Sequence, residues 1–395
     1  MPKAMIDEAG RLVLPDAPAL AQGAVAATEY WLERREGSLV LHPRLPDVRR
    51  LYLEPTTACN LSCRTCIRKV WDDPEAMMKA ETFARVVEDL AGLPELKRVV
   101  FTGFGEPLSH PRILDMIQAV RERGVAVSVG SNGLLLDRQM SLELIRLGVD
   151  RLVISLDGVE SETYADIRGV AVSPVVDNIR ALNEAKSELG AHHPQLAIEF
   201  VALRRNVDEL PRLTRLASQL GAARVLVSNV LAYSREMYDE ILYGYEPRRP
   251  FAPRGWPVRL ETFVVWGNLD LPRMHWAANR RCRFVSDQAE VVGWDGAVSP
   301  CYALSHNYTY FAVDGRQKRV SRYVLGDVRE RSLSDVWMSE DYVRFRAEVR
   351  DFRFPSCPDC DLRESCDMRE RNEGCWGWNP SCADCLWAQD IVRCP

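Results

Sequence analysis

From Leu51 to about Val230, short apolar runs alternate with longer stretches in which apolar residues recur every three or four positions. RLYLEP (50–55), RVVFTG (98–103), VAVSVGSNG (125–133), DRLVISLDG (150–158), QLAIEFVAL (195–203) and ARVLVSN (223–229) read as strands. ETFARVVEDLAGL and PRILDMIQAVRERG read as helices, the second opening on Pro and closing on Gly. Further helical patterns fall near 137–147, 174–189 and 208–220, the last capped by Asn206 or Asp208 and ended by Gly221. Six β/α units in series predict parallel strands with right-handed crossovers. The two further units of a closed eight-unit barrel are not found, so the expected class is α/β, with a partial (β/α)6 barrel whose active site lies at the C-terminal strand ends.

The flanks follow other patterns. Residues 1–47 predict a small β-rich module with a turn at Glu36-Gly37, residues 48–232 the barrel, and residues 233–280 a bridge containing the Pro-rich stretch EPRRPFAPRG (246–255). Residues 281–395 form a cysteine-rich segment. DEAGRLVLPD followed by TEYWLERREGSLVLHP resembles the swapped-hairpin AbrB-type fold, in which Gly-Arg, an apolar run and Pro recur.

Composition narrows the function classes. In 395 residues the net charge is -5, which disfavours a nucleic acid or an anionic membrane as partner. The start MPKAMIDEAGRLVLPDAP lacks the basic and apolar stretches of a signal peptide, and no apolar run is long enough to span a membrane. A soluble, cytoplasmic protein is expected. In a reducing compartment its twelve cysteines are metal ligands rather than disulfides.

Three cysteines, Cys59, Cys63 and Cys66, fall in the loop after the first barrel strand; the other nine begin at Cys282. Three thiols can hold three irons of a four-iron cluster and leave the fourth open to an exogenous ligand, whereas electron-transfer clusters use four. Tetrahedral zinc, completed by a distant fourth cysteine, is the alternative at this point.

The C-x3-C-x2-C spacing after the first strand resembles the radical S-adenosylmethionine superfamily, and other strand ends agree. FTGFGEP, with Gly103, Gly105, Glu106 and Pro107, is similar to that family's GGEP segment, whose backbone receives the methionine amino group. GSNG matches a ribose-contacting position at Ser131 and Asn132, and ISLDG places Ser155 and Asp157 at the rim. Thr65 stands where the family usually has an aromatic. The resemblance implies S-adenosylmethionine bound to one [4Fe-4S] cluster, cleavage to a 5′-deoxyadenosyl radical, hydrogen abstraction from a substrate, and a flavodoxin or ferredoxin as electron donor.

The later cysteines run Cys282, Cys301, Cys357, Cys360, Cys366, Cys375, Cys382, Cys385 and Cys394. Their order resembles the SPASM extension of that superfamily, which implies two auxiliary [4Fe-4S] clusters. By that resemblance Cys282 and Cys301, with Cys375, belong to the first, and Cys357, Cys360 and Cys366, with Cys385, to the second. Nine thiols for eight places leave Cys382 or Cys394 over, and a free thiol at the radical site, Cys394 above all, is a candidate hydrogen donor beside the rim residue Asp157. Trp376, Trp378 and Trp387 are read as cover for the auxiliary clusters.

EPTTACNLSCRTCIRKVWDDPEAMM, VLVSNVLAYSREMYDEILYG and NEGCWGWNPSCADCLWAQDIVRCP together resemble radical SPASM maturases associated with tungsten-cofactor aldehyde oxidoreductases. An enzyme that oxidises or cross-links a peptide or protein is the leading expectation. A dehydrogenase or epimerase of a small natural product, such as a sugar or aminocyclitol, is the alternative. A zinc-binding regulatory module is the distant third.

Overall fold

The computed structural model describes residues 5–6, 8, 12–13, 29–244, 269–273, 279–357, 360–375, 377 and 379–394. Six parallel strands form its centre: β5 (Arg50–Leu53), β6 (Arg98–Phe101), β7 (Ala126–Ser131), β8 (Arg151–Ser155), β9 (Gln195–Ala202) and β10 (Arg224–Asn229). Before them, β1 (Met5–Ile6) pairs with β2 (Leu12–Val13), and β3 (Tyr30–Arg35) with β4 (Ser38–Pro43). The barrel strands are covered on one face by helices and on the other by the lumen, which is why they read as nearly continuous apolar runs. Helices at 80–89, 113–122, 138–146, 173–188 and 210–219 cover the outside, burying Ile117, Leu144, Ile179 and Leu213.

Two local expectations are corrected. A further helix, Ser161–Arg168, follows β8 and ends at Gly169 with φ +78°; its polar sequence SETYADIR hides the pattern. Asn206 caps no helix: its amide donates to Asp157 O and Val201 O, tying the end of β9 to the loop after β8.

The sheet does not stop at six strands. β11 (Leu269–Asp270) pairs in parallel with β10, and β12 (Ala289–Val292) in parallel with β5, with Tyr52 opposite Val291. β13 (Ala297–Ser299) and β16 (Gly326–Asp327) continue that edge antiparallel, while β14 (Tyr308–Phe311) and β15 (Gln317–Val320) form a separate hairpin. The cysteine-rich segment is therefore built onto the barrel sheet. The β3–β4 hairpin turns at Glu36-Gly37 and docks there too, with Trp31 Nε1 donating to Met338 O at 3.1 Å. The rest of residues 1–28, the 246–255 stretch, Trp376 and Trp378 lie outside the described residues.

Inside the barrel, alternate residues point inward in layers. Arg50, Arg98, Arg151 and Arg224 form the layer at the N-terminal mouth. Small and apolar groups, among them Ser128, Val153 and Ala197, form the middle, and Thr102, Gly130, Ser155 and Glu199 the C-terminal mouth. The open side is closed by residues 386–394, held where Asn229 Nδ2 donates to Ile391 O at 3.0 Å and Arg393 N to Ser228 Oγ at 2.9 Å. Trp387, Val392, Arg393 and Cys394 line both a lower and an upper cavity, so this segment partitions the lumen. Among the described residues no helix is long and apolar enough to cross a membrane.

Candidate functional site

At the C-terminal mouth a cavity of about 180 Å³ is lined by Cys59, Cys63 and Cys66 together with Gly103, Gly105, Glu106, Pro107, Ser131, Asn132 and Ser155. Every residue named from the strand-end motifs except Asp157 faces this one space. Two backbone features shape it. A Cβ on Gly105 would lie 2.1 Å from Thr56 O and 2.7 Å from Ala58 O, and Gly103, at φ +154°, is backed by Glu54, so only glycine lets this loop approach the cysteine loop. Glu106 is buried and accepts from Asn132 N at 2.7 Å and Leu108 N at 3.0 Å, which locks the loops after β6 and β7 together. Its carboxyl is raised above the usual range by burial.

The thiols are not bare. Asn132 Nδ2 lies 3.8 Å from Cys59 Sγ, and Arg168 Nη1 lies 3.8 Å from Cys63 Sγ, weak donors aimed at two of the three sulfurs. Burial pushes the Cys59 and Cys66 thiols up, so a cationic core is what would draw them to thiolate. Three thiols with sulfur-directed donors on one cavity wall fit an iron–sulfur cluster, and the glycine cradle beside them fits a small ligand lying against backbone.

Asp157 is corrected as a rim residue. It is fully buried and absent from the cavity wall, with Oδ2 accepting from Arg168 Nε at 2.6 Å and Oδ1 from Val201 N at 2.9 Å. It holds Arg168, which does line the cavity and which no motif in DIRGV announces. Burial lowers the Arg168 pKa, and the charges of Asp157 and Cys63 outweigh that, leaving a fixed cation beside the thiols. Glu199 is a second missed residue: partly buried on the wall, its carboxyl is pushed up to about 7 by desolvation and then by Asp157. A lone Glu within an apolar strand carries no local signal of such a role.

A second cavity, of about 200 Å³, shares Cys66, Thr65, Thr102 and Glu199 with the first and extends to Tyr233, Tyr302, Trp387 and Cys394. Cys394 is partly buried, its thiol pushed up to about 12 by desolvation and by Glu199, and it accepts from Trp387 Nε1 at 3.0 Å. Trp387 also borders a small cavity of about 40 Å³ beside Cys301, Cys382 and Cys385.

The remaining cysteines form two neighbourhoods. Cys301 is raised by burial and by Cys282, Cys385 and Cys382, and Cys382 by burial, Cys385 and Cys282. Cys375 is raised by burial, Cys366 and Cys360, and Cys357 feels Cys375 in turn. Cys375 thus lies near Cys360 and Cys366, and Cys385 near Cys282 and Cys301. Ser381 N donates to Asn372 O at 2.7 Å, which brings these two residues, on either side of Cys375, together. These are neighbourhoods only: among the described residues, no three His, Cys, Asp or Glu side chains converge closely enough for a single metal ion. Cys394 also feels Cys385, from the lumen side.

Comparison with known proteins agrees with this layout. The profile of the Radical SAM superfamily matches residues 53–194, and that of SPASM, an iron-sulfur cluster-binding domain, matches residues 282–361. The chain is 37% identical over 353 residues to the tungsten-containing aldehyde ferredoxin oxidoreductase cofactor-modifying protein of Pyrococcus furiosus, covering 88% of this chain and 97% of that protein. It is 25% identical to a PqqA peptide cyclase of Granulibacter bethesdensis over 80% of each. Among solved structures, Streptococcus suis SuiB bound to precursor peptide SuiA superposes with a TM-score of 0.58 at 16% identity, covering 82% of this chain and 72% of that one. Native anSMEcpe with bound AdoMet gives 0.55 at 16% identity, covering 82% and 92%.

Proposed function

The chain belongs to the radical S-adenosylmethionine superfamily, with a SPASM segment after its barrel, and from that premise we propose that it modifies a peptide or protein, as a maturase, by abstracting a hydrogen atom. The observation that carries this reading is the junction of the two upper cavities. A chamber walled by three thiols and a glycine cradle shares Cys66 and Glu199 with a neighbouring chamber that has room for a substrate side chain.

Cys59, Cys63 and Cys66 would hold a four-iron cluster with one iron free. The backbone from Gly103 to Pro107, with Ser131, Asn132 and Ser155, would hold S-adenosylmethionine against it. When bound, these groups supply reductive cleavage of the sulfonium and a 5′-deoxyadenosyl radical. Arg168, fixed by Asp157, holds positive charge beside Cys63, and Tyr302, Tyr233 and Trp387 exclude water from the second chamber. Glu199, with a pKa near neutrality, is placed to take the proton that an oxidised substrate must lose.

The two later thiol neighbourhoods would hold auxiliary clusters, and Trp387 stands between the nearer one and the second chamber. That placement suits an electron leaving the substrate, hence net oxidation or cross-linking. The names of the curated relatives, one a peptide cyclase and one a cofactor-modifying protein of an oxidoreductase, support a maturase. A small reduced protein, flavodoxin or ferredoxin, would supply the electron, and the exposed-to-reduction thiols suit the cytoplasm. The alternative, an epimerase or dehydrogenase of a small molecule, is favoured by one observation: the Cys394 thiol faces the chamber.

The test is 5′-deoxyadenosine formation by the anaerobically reconstituted protein with S-adenosylmethionine and dithionite, compared with Cys63→Ala. Wild type should form it and the variant should not; equal formation in both sinks the reading. With candidate peptides deuterated at the reacting position and assayed in ordinary water, label in the 5′-deoxyadenosine together with loss of one deuterium and one hydrogen from the peptide marks oxidation, whereas replacement of the peptide deuterium by solvent hydrogen marks epimerisation.

A further inference from the structure

The lower cavity, at the mouth away from the site above, has no part in that chemistry. Strands of four to eight residues separate the mouths by about 15 Å at roughly 3.3 Å per residue. Four strands begin with arginine at this mouth, RLYL, RVVF, RLVIS and RVLVSN, and Arg283 and Arg393 join them around a cavity of about 180 Å³. Against these six guanidiniums stand three carboxylates. Asp287 pairs with Arg50 at 3.4 Å, Asp390 with Arg283 at 3.0 Å, and Asp270 with Arg393 at 2.8 Å and with Arg224. No acceptor among the described residues reaches the guanidinium of Arg98 or Arg151. The nearby Asp150 is already committed to Arg121 and to Val127 N.

Such crowding is unfavourable for the empty fold. Arg50 lies directly opposite Arg98 in the β5–β6 register, and like charges so placed repel. Burial, and then neighbouring arginines, lower the pKa of both Arg98 and Arg224. Above the ring the ceiling is apolar, formed by Tyr52, Val153, Leu226, Phe284 and Trp387. The mouth is open to solvent, since Arg50 and Arg224 keep 38% and 46% of their side-chain surface exposed.

We propose that this mouth binds a small organic phosphate, its oxyanion held by Arg98 and Arg151 within the arginine ring and its carbon body against the aromatic ceiling. Guanidinium forks match phosphate oxygens bidentately, and a dianion offsets most of the surplus charge of the ring. The cavity has room for a phosphate ester of one small ring and not for a dinucleotide. The site goes beyond the radical reading and does not rest on it.

Phenyl phosphate is the probe, with inorganic phosphate and phenol as comparisons, titrated calorimetrically into the full-length reconstituted protein. Phenyl phosphate should bind at least tenfold more tightly than either comparison, and its affinity should fall as sodium chloride is raised. In Arg98→Met/Arg151→Met that binding should weaken at least tenfold, while the melting temperature without ligand rises because the repulsion is gone. Independently of any variant, phenylglyoxal labelling of the wild type read by mass spectrometry should show Arg98 and Arg151 protected by phenyl phosphate and the exposed Arg319 unprotected. Equal labelling of Arg98 and Arg151 with and without the probe, equal binding by the double variant, or no calorimetric binding would each overturn the proposal.

Discussion

Trp387 Nε1 donates a hydrogen bond to the sulfur of Cys394 across 3.0 Å, on the wall that separates the two lumen cavities. With nine later thiols for eight ligand places, Cys394, which faces a cavity of the lumen, is the one expected to ligate nothing. Cys394→Ser should therefore retain the full iron content of the reconstituted protein. Cys282→Ala and Cys375→Ala should each lose iron, in line with one cluster of about four irons apiece. Iron and sulfide assays on the three variants decide it, and iron loss in Cys394→Ser would return that thiol to the ligands.

The Asp157–Arg168 pair has side chains only 0% and 10% exposed. Removing one partner of a buried pair leaves an unpaired charge, at a cost of about 3–5 kcal/mol. Asp157→Ala should lose stability in that range by urea unfolding and change the electron paramagnetic resonance signal of the reduced first cluster, because Arg168 would no longer be aimed at Cys63. A loss below about 1 kcal/mol, the range of exposed pairs, would show that Arg168 finds another partner.

Gly105 has no room for a side chain, its would-be Cβ lying 2.1 Å from a backbone oxygen. Gly105→Ala must push the strand-end loop away from the cysteine loop. S-adenosylmethionine affinity, measured by equilibrium dialysis on the reconstituted variant, should drop at least tenfold. Unchanged affinity would mean that this loop does not form the ligand's cradle.

His306 is buried between Glu54, 3.0 Å from its Nε2, and Asp73 at its Nδ1, with Trp71 packed 4.5 Å away. Burial opposes the charged ring, but the two carboxylates outweigh it and raise the pKa from 6.5 to about 9. A raised folded-state pKa means stability that is fully present below 6.5 and lost as pH climbs through 9. Urea unfolding across that window should show the decline in wild type and a flatter profile in His306→Gln. Parallel profiles would remove His306 as the cause.

The strands and the three-thiol loop were legible because period and spacing are local properties, and RLYL followed by CNLSCRTC carries both. Asp157 was misjudged because a strand-end carboxylate has the same one-dimensional appearance whether it faces a ligand or an arginine eleven residues on. Glu199 and Arg168 were invisible for the same reason: what makes them part of the wall is the closure of the barrel, a contact between remote strands. Which thiols neighbour Cys375 and Cys385 depends on contacts such as Ser381 N to Asn372 O, and spacing alone does not say which way a loop turns. The arginine ring, by contrast, stood in the text as four strands that each begin with the same letter, and only their closure gave it meaning.

The parallel pairing of β5 with β12 joins Leu51 to Glu290 across 238 intervening residues. It leaves β5 without a free edge, so the barrel and the cysteine-rich segment are not exchangeable modules. A version cut before residue 281 would present a bare row of amide and carbonyl groups beside the cysteine loop, a template for pairing with other chains. Recombining this barrel with another protein's C-terminal segment would succeed only if the incoming strand carried the register as well as the cysteines, which makes a seam four residues long the unit on which the two halves are inherited together.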